Sequence, residues 1–78
     1  MKLQVYPNPF STYATLSIKG AVKSISHIIV TEKAGNIIED HELTGSGTIR
    51  LLEKAHAGIY FVKIISGDLV QTRTVSKL

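Results

Sequence analysis

Apolar and polar residues alternate along several short stretches of the chain, and this alternation restricts the possible fold more than any other feature of the sequence. In residues 13–19 (YATLSIK), Ala14, Leu16 and Ile18 occupy every second position and polar residues lie between them. Because successive side chains of a β-strand point to opposite faces, the pattern predicts a half-buried antiparallel strand. No window shows a convincing helical period.

Seven stretches rich in valine, isoleucine and threonine have the composition of strands, and turn signals separate them. The predicted strands are residues 3–6, 13–19, 26–32, 36–43, 47–52, 58–65 and 69–76. This spacing is typical of a small antiparallel sandwich, so we predict an all-β fold, a β-sandwich of about seven strands. The chain has 78 residues, which allows one domain at most, and residues 1–78 are predicted to form it.

The sixth predicted strand, GIYFVKII, is apolar on both faces, which favours a central place in a sheet. Lys63 should point to water, so the other face, with Tyr60, Val62 and Ile64, is predicted to enter the core. Polar residues return in the last strand, as expected at a sheet edge.

Glycines mark the predicted turns. Residues 32–35 (EKAG) predict a tight hairpin with Gly35 in the left-handed region, and residues 66–68 predict a second short hairpin. Residues 53–58 could form one helical turn before the sixth strand.

Both prolines lie in residues 5–11, VYPNPFS. Each proline favours extended geometry in the residue before it and cannot donate a ladder hydrogen bond. We therefore predict a stiff lead-in strand that ends at a corner, where the Asn8 amide bonds to nearby backbone.

The composition excludes several functional classes. There is no cysteine, which rules out disulfides, thiolate metal sites and a catalytic thiol. The net charge is +3 with scattered basic residues, so no nucleic-acid or membrane patch is expected. No catalytic motif is present, and we expect no enzyme activity and no cofactor.

Two features of the sequence suggest a site, but each has a plainer interpretation. His27 and His41 could be cross-strand neighbours, with Glu39 on the same face as His41, but a solvated strand face is the better interpretation than a metal site. His56 is expected to be exposed. Residues 57–64 partly match an RNA-binding octamer, but position 59 is isoleucine instead of the stacking aromatic, and a buried strand is preferred.

Three motifs in order carry a resemblance to a known family: YPNP at 6–9, EKAG at 32–35 and GIYFVKI at 58–64. The chain resembles the C-terminal sorting domain of the type IX (Por) secretion system, type A, over essentially its whole length. The resemblance implies an immunoglobulin-like antiparallel β-sandwich. The positions that match the family's motifs are Pro7, Asn8, Pro9, Gly35, Gly58, Ile59, Tyr60, Lys63, Val75 and Lys77. The family usually has Asp or Asn where this chain has Glu32, and a longer side chain should cap the turn less well.

The resemblance also implies partners and a destination. Such domains are fused to the end of a longer exported protein, recognised in folded form by an outer-membrane translocon, and usually removed by a sortase-like surface protease. The cargo then passes from the periplasm to the cell surface or the medium. The cleavage point would lie upstream of Leu3, so the chain would be a fragment of its parent.

Two other functions remain open from the residues alone. A β-sandwich could bind carbohydrate or another surface, which usually needs exposed aromatic side chains, and Tyr6, Phe10 and Tyr13 are available near one end. It could also be a structural stalk module. We expect no nucleic acid partner and a monomer in solution, with weak contacts between strand edges.

Overall fold

All regular secondary structure is β-strand in the computed structural model, which describes residues 1–20 and 25–78. The strands are β1 (Lys2–Tyr6), β2 (Ala14–Lys19), β3 (Ile25–Glu32), β4 (Ile37–Thr44), β5 (Gly47–Leu51), β6 (Gly58–Ser66) and β7 (Leu69–Lys77). Each lies within one residue of its predicted bounds, and the predicted fold class is confirmed. The described residues include no helix long and apolar enough to span a membrane.

The strands form two antiparallel sheets, one with the order β1-β2-β5 and one with the order β4-β3-β6-β7. A constant-type immunoglobulin sandwich places its first, second, fourth and fifth strands in one sheet. Here the fourth strand pairs with the third instead, through a register that runs from Ile25 opposite Thr44 to Thr31 opposite Ile37 with one irregularity after Val30. The result is a three-stranded sheet packed on a four-stranded sheet.

The core lies between the two sheets and takes alternate residues from each. Ala14, Leu16 and Ile18 of β2 are almost fully buried, as predicted. The facing side chains of the four-stranded sheet belong to β3, β6 and β7, and with Phe10, Leu51 and Leu52 they complete one cluster: Ile28, Val30, Tyr60, Val62, Ile64 and Val75. Each fully buried branched aliphatic side chain stabilises the fold by about 1.5–3 kcal/mol relative to an exposed one.

The position of β6 and β7 agrees with the sequence. β6 pairs with β3 on one side and with β7 on the other, so it is central, and β7 is an edge strand. The inward residues of β6 are the predicted ones, whereas Lys63 points to solvent.

Two of the predicted turns are confirmed, and a third differs from the prediction. Gly35 has a φ of 95° and donates to Glu32 O at 2.9 Å, and Gly67 has a φ of 58° in the two-residue turn between β6 and β7. The suggested helical turn in residues 53–58 is wrong. The chain makes only one hydrogen-bonded reversal there, with Ala55 N donating to Leu52 O at 3.3 Å.

The two ends of the sandwich differ. At one end, which we call the entry end, β1 begins opposite Lys19, and the Ser46 hydroxyl donates to Gly20 O at 2.6 Å. The Gly67 turn lies at this end as well, because Ser66 pairs with Ser26 near the start of β3. The Gly35 turn, the start of β6 and the end of β7 lie at the other end.

Candidate functional site

The residues that match the sorting motifs are concentrated at the end opposite the entry end. We call this region the motif end and define it as residues 6–10, the turn at 32–36, the start of β6 at 58–60 and the end of β7 at 75–77. A few long-range contacts hold these segments together.

The Asn8 side chain binds the free edge of β7. Its Nδ2 donates to Thr74 O at 3.0 Å, and its Oδ1 accepts from Ser76 N at 3.0 Å. The amide thus uses both its donor and its acceptor on one strand, as a neighbouring strand's backbone would. The prediction that Asn8 bonds nearby backbone is wrong, since its partners lie 66 and 68 residues away.

Phe10 continues this contact with its backbone. Its N–H donates to Ser76 O at 3.0 Å, and its carbonyl accepts from Leu78 N at 2.8 Å. The Phe10 ring is 1% exposed and belongs to the core. Residues 8–10 therefore cover the last part of the β7 edge, which would otherwise offer unpaired backbone groups to another chain. The peptide bonds before Pro7 and Pro9 are both cis.

Lys77 joins the end of β7 to the other sheet. Its Nζ donates to Leu52 O at 2.7 Å and to Glu53 O at 3.3 Å, and it lies 5.9 Å from the centre of the Phe10 ring. A charged donor makes stronger hydrogen bonds than a neutral one. The lysine therefore holds the turn after β5 against the C-terminal strand.

Leu52 is the one non-glycine residue with positive φ in the described part of the chain, at 63°. This conformation costs a leucine roughly 1–2 kcal/mol. Its N–H donates to Glu39 Oε2 at 2.7 Å, its carbonyl accepts from Lys77, and its side chain is fully buried. Glu39 Oε1 in turn lies 2.7 Å from His41 Nε2. Contacts from both edge strands of the four-stranded sheet, β4 and β7, thus hold the residue in place.

Tyr60 and the Gly35 turn complete the motif end. The Tyr60 hydroxyl donates to His56 O at 2.6 Å, and the residue lies opposite Val75 on one side and Glu32 on the other. The Glu32 carboxylate accepts from the Asn36 amide, so the longer side chain still finds a partner within the turn.

Nine of the ten motif-matched positions lie at the motif end, and Lys63 lies outside it. Asn8, Tyr60, Val75 and Lys77 make the contacts above, and Pro7, Pro9, Gly35 and Gly58 belong to the same segments. Ile59 starts β6 but points outward, 45% exposed. Lys63 lies farther along β6, also on the outward face, away from the motif end.

Between the sheets at the motif end lies a cleft of about 580 Å³, lined by Glu32, Ile38, Glu39, His41, Arg50, Glu53, Lys54, Ala55, His56 and Tyr60. Two of its polar groups have structural partners: Glu39 binds Leu52 N, and the Tyr60 hydroxyl binds backbone. The described residues contain no cluster of three metal-ligating side chains. These two contacts support the chain around Leu52 and the start of β6.

The weaker site hypotheses gain nothing from the geometry. His27 pairs with Glu42, whereas His41 pairs with Ile28, so the two histidines point to opposite faces and the suggested cross-strand pair is wrong. His56 is exposed, as predicted.

The aromatic residues do not form a stacking platform for sugars. Phe10 is buried, and Tyr13 is half-buried with the Arg50 guanidinium 4.5 Å from its ring centre. Tyr6 is 47% exposed and stands without a second exposed aromatic beside it in the described residues.

Sequence reasoning missed Asn8 as a long-range ligand, and it missed the roles of Glu39 and Leu52. No local signal marks the first, because Phe10, two residues after Asn8, has the N–H that a local asparagine turn would need. Nothing in the local sequence marks Leu52 as a positive-φ residue.

A comparison with models of protein families gives a match. The family model described as "Secretion system C-terminal sorting domain" matches residues 4–77, nearly the whole chain. No curated protein matches the chain.

Proposed function

The chain belongs to the family of type IX secretion system C-terminal sorting domains, and from this premise we propose that its folded β-sandwich is the signal which the outer-membrane translocon reads. The family has a sorting role and not a catalytic one, and it directs export across the outer membrane to the cell surface or the medium. Our proposal adds that the translocon binds this signal as a folded domain.

The observation that carries this proposal is the long-range contact between Asn8 and β7. The motif positions are far apart in the sequence, and Asn8 meets Thr74 and Ser76 only when both sheets have formed. An unfolded chain would present YPNP and the end of β7 as unrelated segments. A receptor that requires all of them together must therefore bind the folded domain.

The position of the chain entry supports the same function. β1 starts at the entry end and runs toward the motif end. A cargo fused upstream of Leu3 would therefore be attached at the entry end, opposite the motif residues. A cargo at the entry end would leave the motif end and the outer faces of both sheets open to the translocon, and a sortase-like protease could cut the linker upstream of Leu3 without disturbing them.

The test is a fusion of residues 3–78 behind a periplasmic reporter enzyme in a host with the secretion system. We expect the reporter at the cell surface or in the medium, and in the periplasm when the host lacks the translocon. Reporter retained in the periplasm of the intact host would refute the proposal. Mass spectrometry of the exported reporter should place its new C-terminus upstream of Leu3, and a reporter that keeps the whole domain would refute the cleavage step.

The same strains separate a sorting signal from a stalk module. A stalk predicts that the reporter reaches the same place with and without residues 3–78. The matched comparison is the signal-peptide reporter alone, at equal expression, followed by fractionation into periplasm, surface and medium.

A further inference from the structure

The outer face of the four-stranded sheet carries more apolar side chains than the outer face of the three-stranded sheet. On the three-stranded sheet the outward residues are polar except Tyr6: Lys2, Gln4, Thr15, Ser17, Lys19, Thr48 and Arg50. Such a face is what a solvated sheet surface requires. The outer face of the four-stranded sheet can be compared with it.

The outward face of the four-stranded sheet, which we call the apolar face, has a different composition. Its outward apolar residues are Ile25, Ile29, Ile37, Ile59, Phe61, Ile65 and Val70. Ile25 is 48% exposed, Ile59 45%, Val70 55% and Ile37 64%. Ile29, Phe61 and Ile65 are half-buried and connect the exposed residues along β6, while polar residues such as His27, Thr72 and Thr74 lie among them. Exposed apolar side chains grouped on one face of a protein favour an interaction site.

Lys63 lies in the middle of the apolar face. Its cross-strand neighbours are Ile29 on β3 and Thr72 on β7. It makes no ion pair or side-chain hydrogen bond within residues 1–20 and 25–78. The face also carries acidic side chains, but Asp40 and Glu42 lie on the edge strand β4, two strands away, and Glu42 is 3.6 Å from His27.

We propose that the apolar face docks on a protein of the secretion machinery whose surface presents apolar side chains around a carboxylate, which pairs with Lys63. The inference rests on the sorting function proposed above and identifies the surface that is read. A partner covering this face removes Lys63 from water, so it must supply an opposite charge.

The different roles of the motif-matched residues support this choice of face. Asn8, Tyr60, Val75 and Lys77 all have structural tasks at the motif end. Ile59 and Lys63 have none: both side chains are exposed, and both point outward from β6 onto the apolar face. The motif end thus holds β7 in place, and β7 with β6 presents the contact residues.

Charge also distinguishes this partner from an anionic membrane. A lipid surface would favour a basic rim, whereas the edge of the apolar face at β4 is acidic through Asp40 and Glu42.

The experiment compares charge reversal on the two outer faces in the reporter fusion. Lys63→Glu should lower export at least about tenfold, because a buried pair becomes a repulsion. Lys19→Glu, an exposed strand lysine on the polar face, is the matched control and should export like the unchanged domain. Ile59→Thr keeps a β-branched residue and should also lower export. Thermal unfolding of each purified domain verifies that the variants fold.

The outcomes separate the two proposals. If the unchanged fusion is exported and Lys63→Glu is exported equally well, the docking surface is wrong while the sorting function stands. If the unchanged fusion stays in the periplasm, the sorting function itself fails.

The remaining outcomes test other occupants of the face. Loss of export with one reporter but not with an unrelated second reporter would assign the face to the cargo and overturn the proposal. So would a stable dimer of the isolated domain, seen by light scattering at micromolar concentration, that Lys63→Glu dissociates.

Discussion

Replacing Asn8 with alanine removes both side-chain hydrogen bonds to the β7 edge while leaving the backbone contacts of Phe10 available. Each of these bonds contributes about 0.5–1.5 kcal/mol net. Both are exposed, so water can replace the amide in part. We therefore expect the free energy of unfolding to fall by about 1–2 kcal/mol, toward the lower half of the summed range. For a domain of this size that lowers the melting temperature by roughly 4–16 °C.

Circular dichroism with thermal and urea unfolding measures the loss, and Asn36→Ala provides the matched control. Asn36 is an exposed asparagine at the same end whose amide binds one side chain, Glu32, and no distant backbone. Its replacement should cost less than about 0.5 kcal/mol. Asn8→Asp keeps the acceptor for Ser76 N but turns a carboxylate toward Thr74 O, so its loss should be at least as large as that of alanine.

Hydrogen exchange supplies an independent measurement. The Ser76 amide, which donates to Asn8 Oδ1, should exchange faster in Asn8→Ala than the overall loss of stability explains. Equal losses for Asn8→Ala and Asn36→Ala, together with unchanged exchange at Ser76, would refute the idea that Asn8 holds β7.

Substitutions at Lys77, Gly35 and Leu52 test the other contacts. Lys77→Met keeps the aliphatic stem but loses the bonds to the turn after β5, and should cost about 1–2 kcal/mol in urea unfolding. Lys63→Met should cost less than about 0.5 kcal/mol, and equal losses would contradict the role of Lys77. Gly35→Ala should cost roughly 1–2 kcal/mol, because its φ is 95° although an added Cβ would meet nothing within 4 Å; a negligible change in melting temperature would disprove this. Leu52→Gly should be at least as stable as Leu52→Ala, because glycine adopts a positive φ without strain. In ordinary strand or helix positions alanine is the more stable of the two by about 0.5–1 kcal/mol. A more stable alanine variant would show that the positive φ carries no cost.

The strands could be predicted from the sequence because their signal is local. Period-two alternation in β2 indicates which of its faces is buried. The apolar residues on both faces of β6 indicate a central strand, and the glycines of the turns mark where strands end. Burial then follows without knowledge of the partner strand, as for Ala14, Leu16 and Ile18. The prediction of a helical turn after β5 was wrong because Leu52 leaves the strand with a positive φ, which its sequence context does not indicate.

The contacts that hold the motif end could not be predicted, because each joins segments far apart in the chain. Asn8 and β7 are separated by almost the entire sequence, and an asparagine between prolines is compatible with a local turn. Lys77 and Glu39 converge on Leu52 only through the packing of the two sheets. The sequence does identify Lys63 as solvent-facing, but its isolation on an apolar surface depends on the neighbours that β3 and β7 bring.

The opposite placement of the entry end and the motif end determines how the domain responds to mechanical load. A cargo attached upstream pulls on β1 along the strand, away from Tyr6 and toward the entry end. The bonds between antiparallel strands are perpendicular to that direction, so those joining β1 to β2 are loaded together in shear and are not opened one after another. A domain held by its β6–β7 hairpin can therefore transmit tension to its cargo while its three-stranded sheet remains intact.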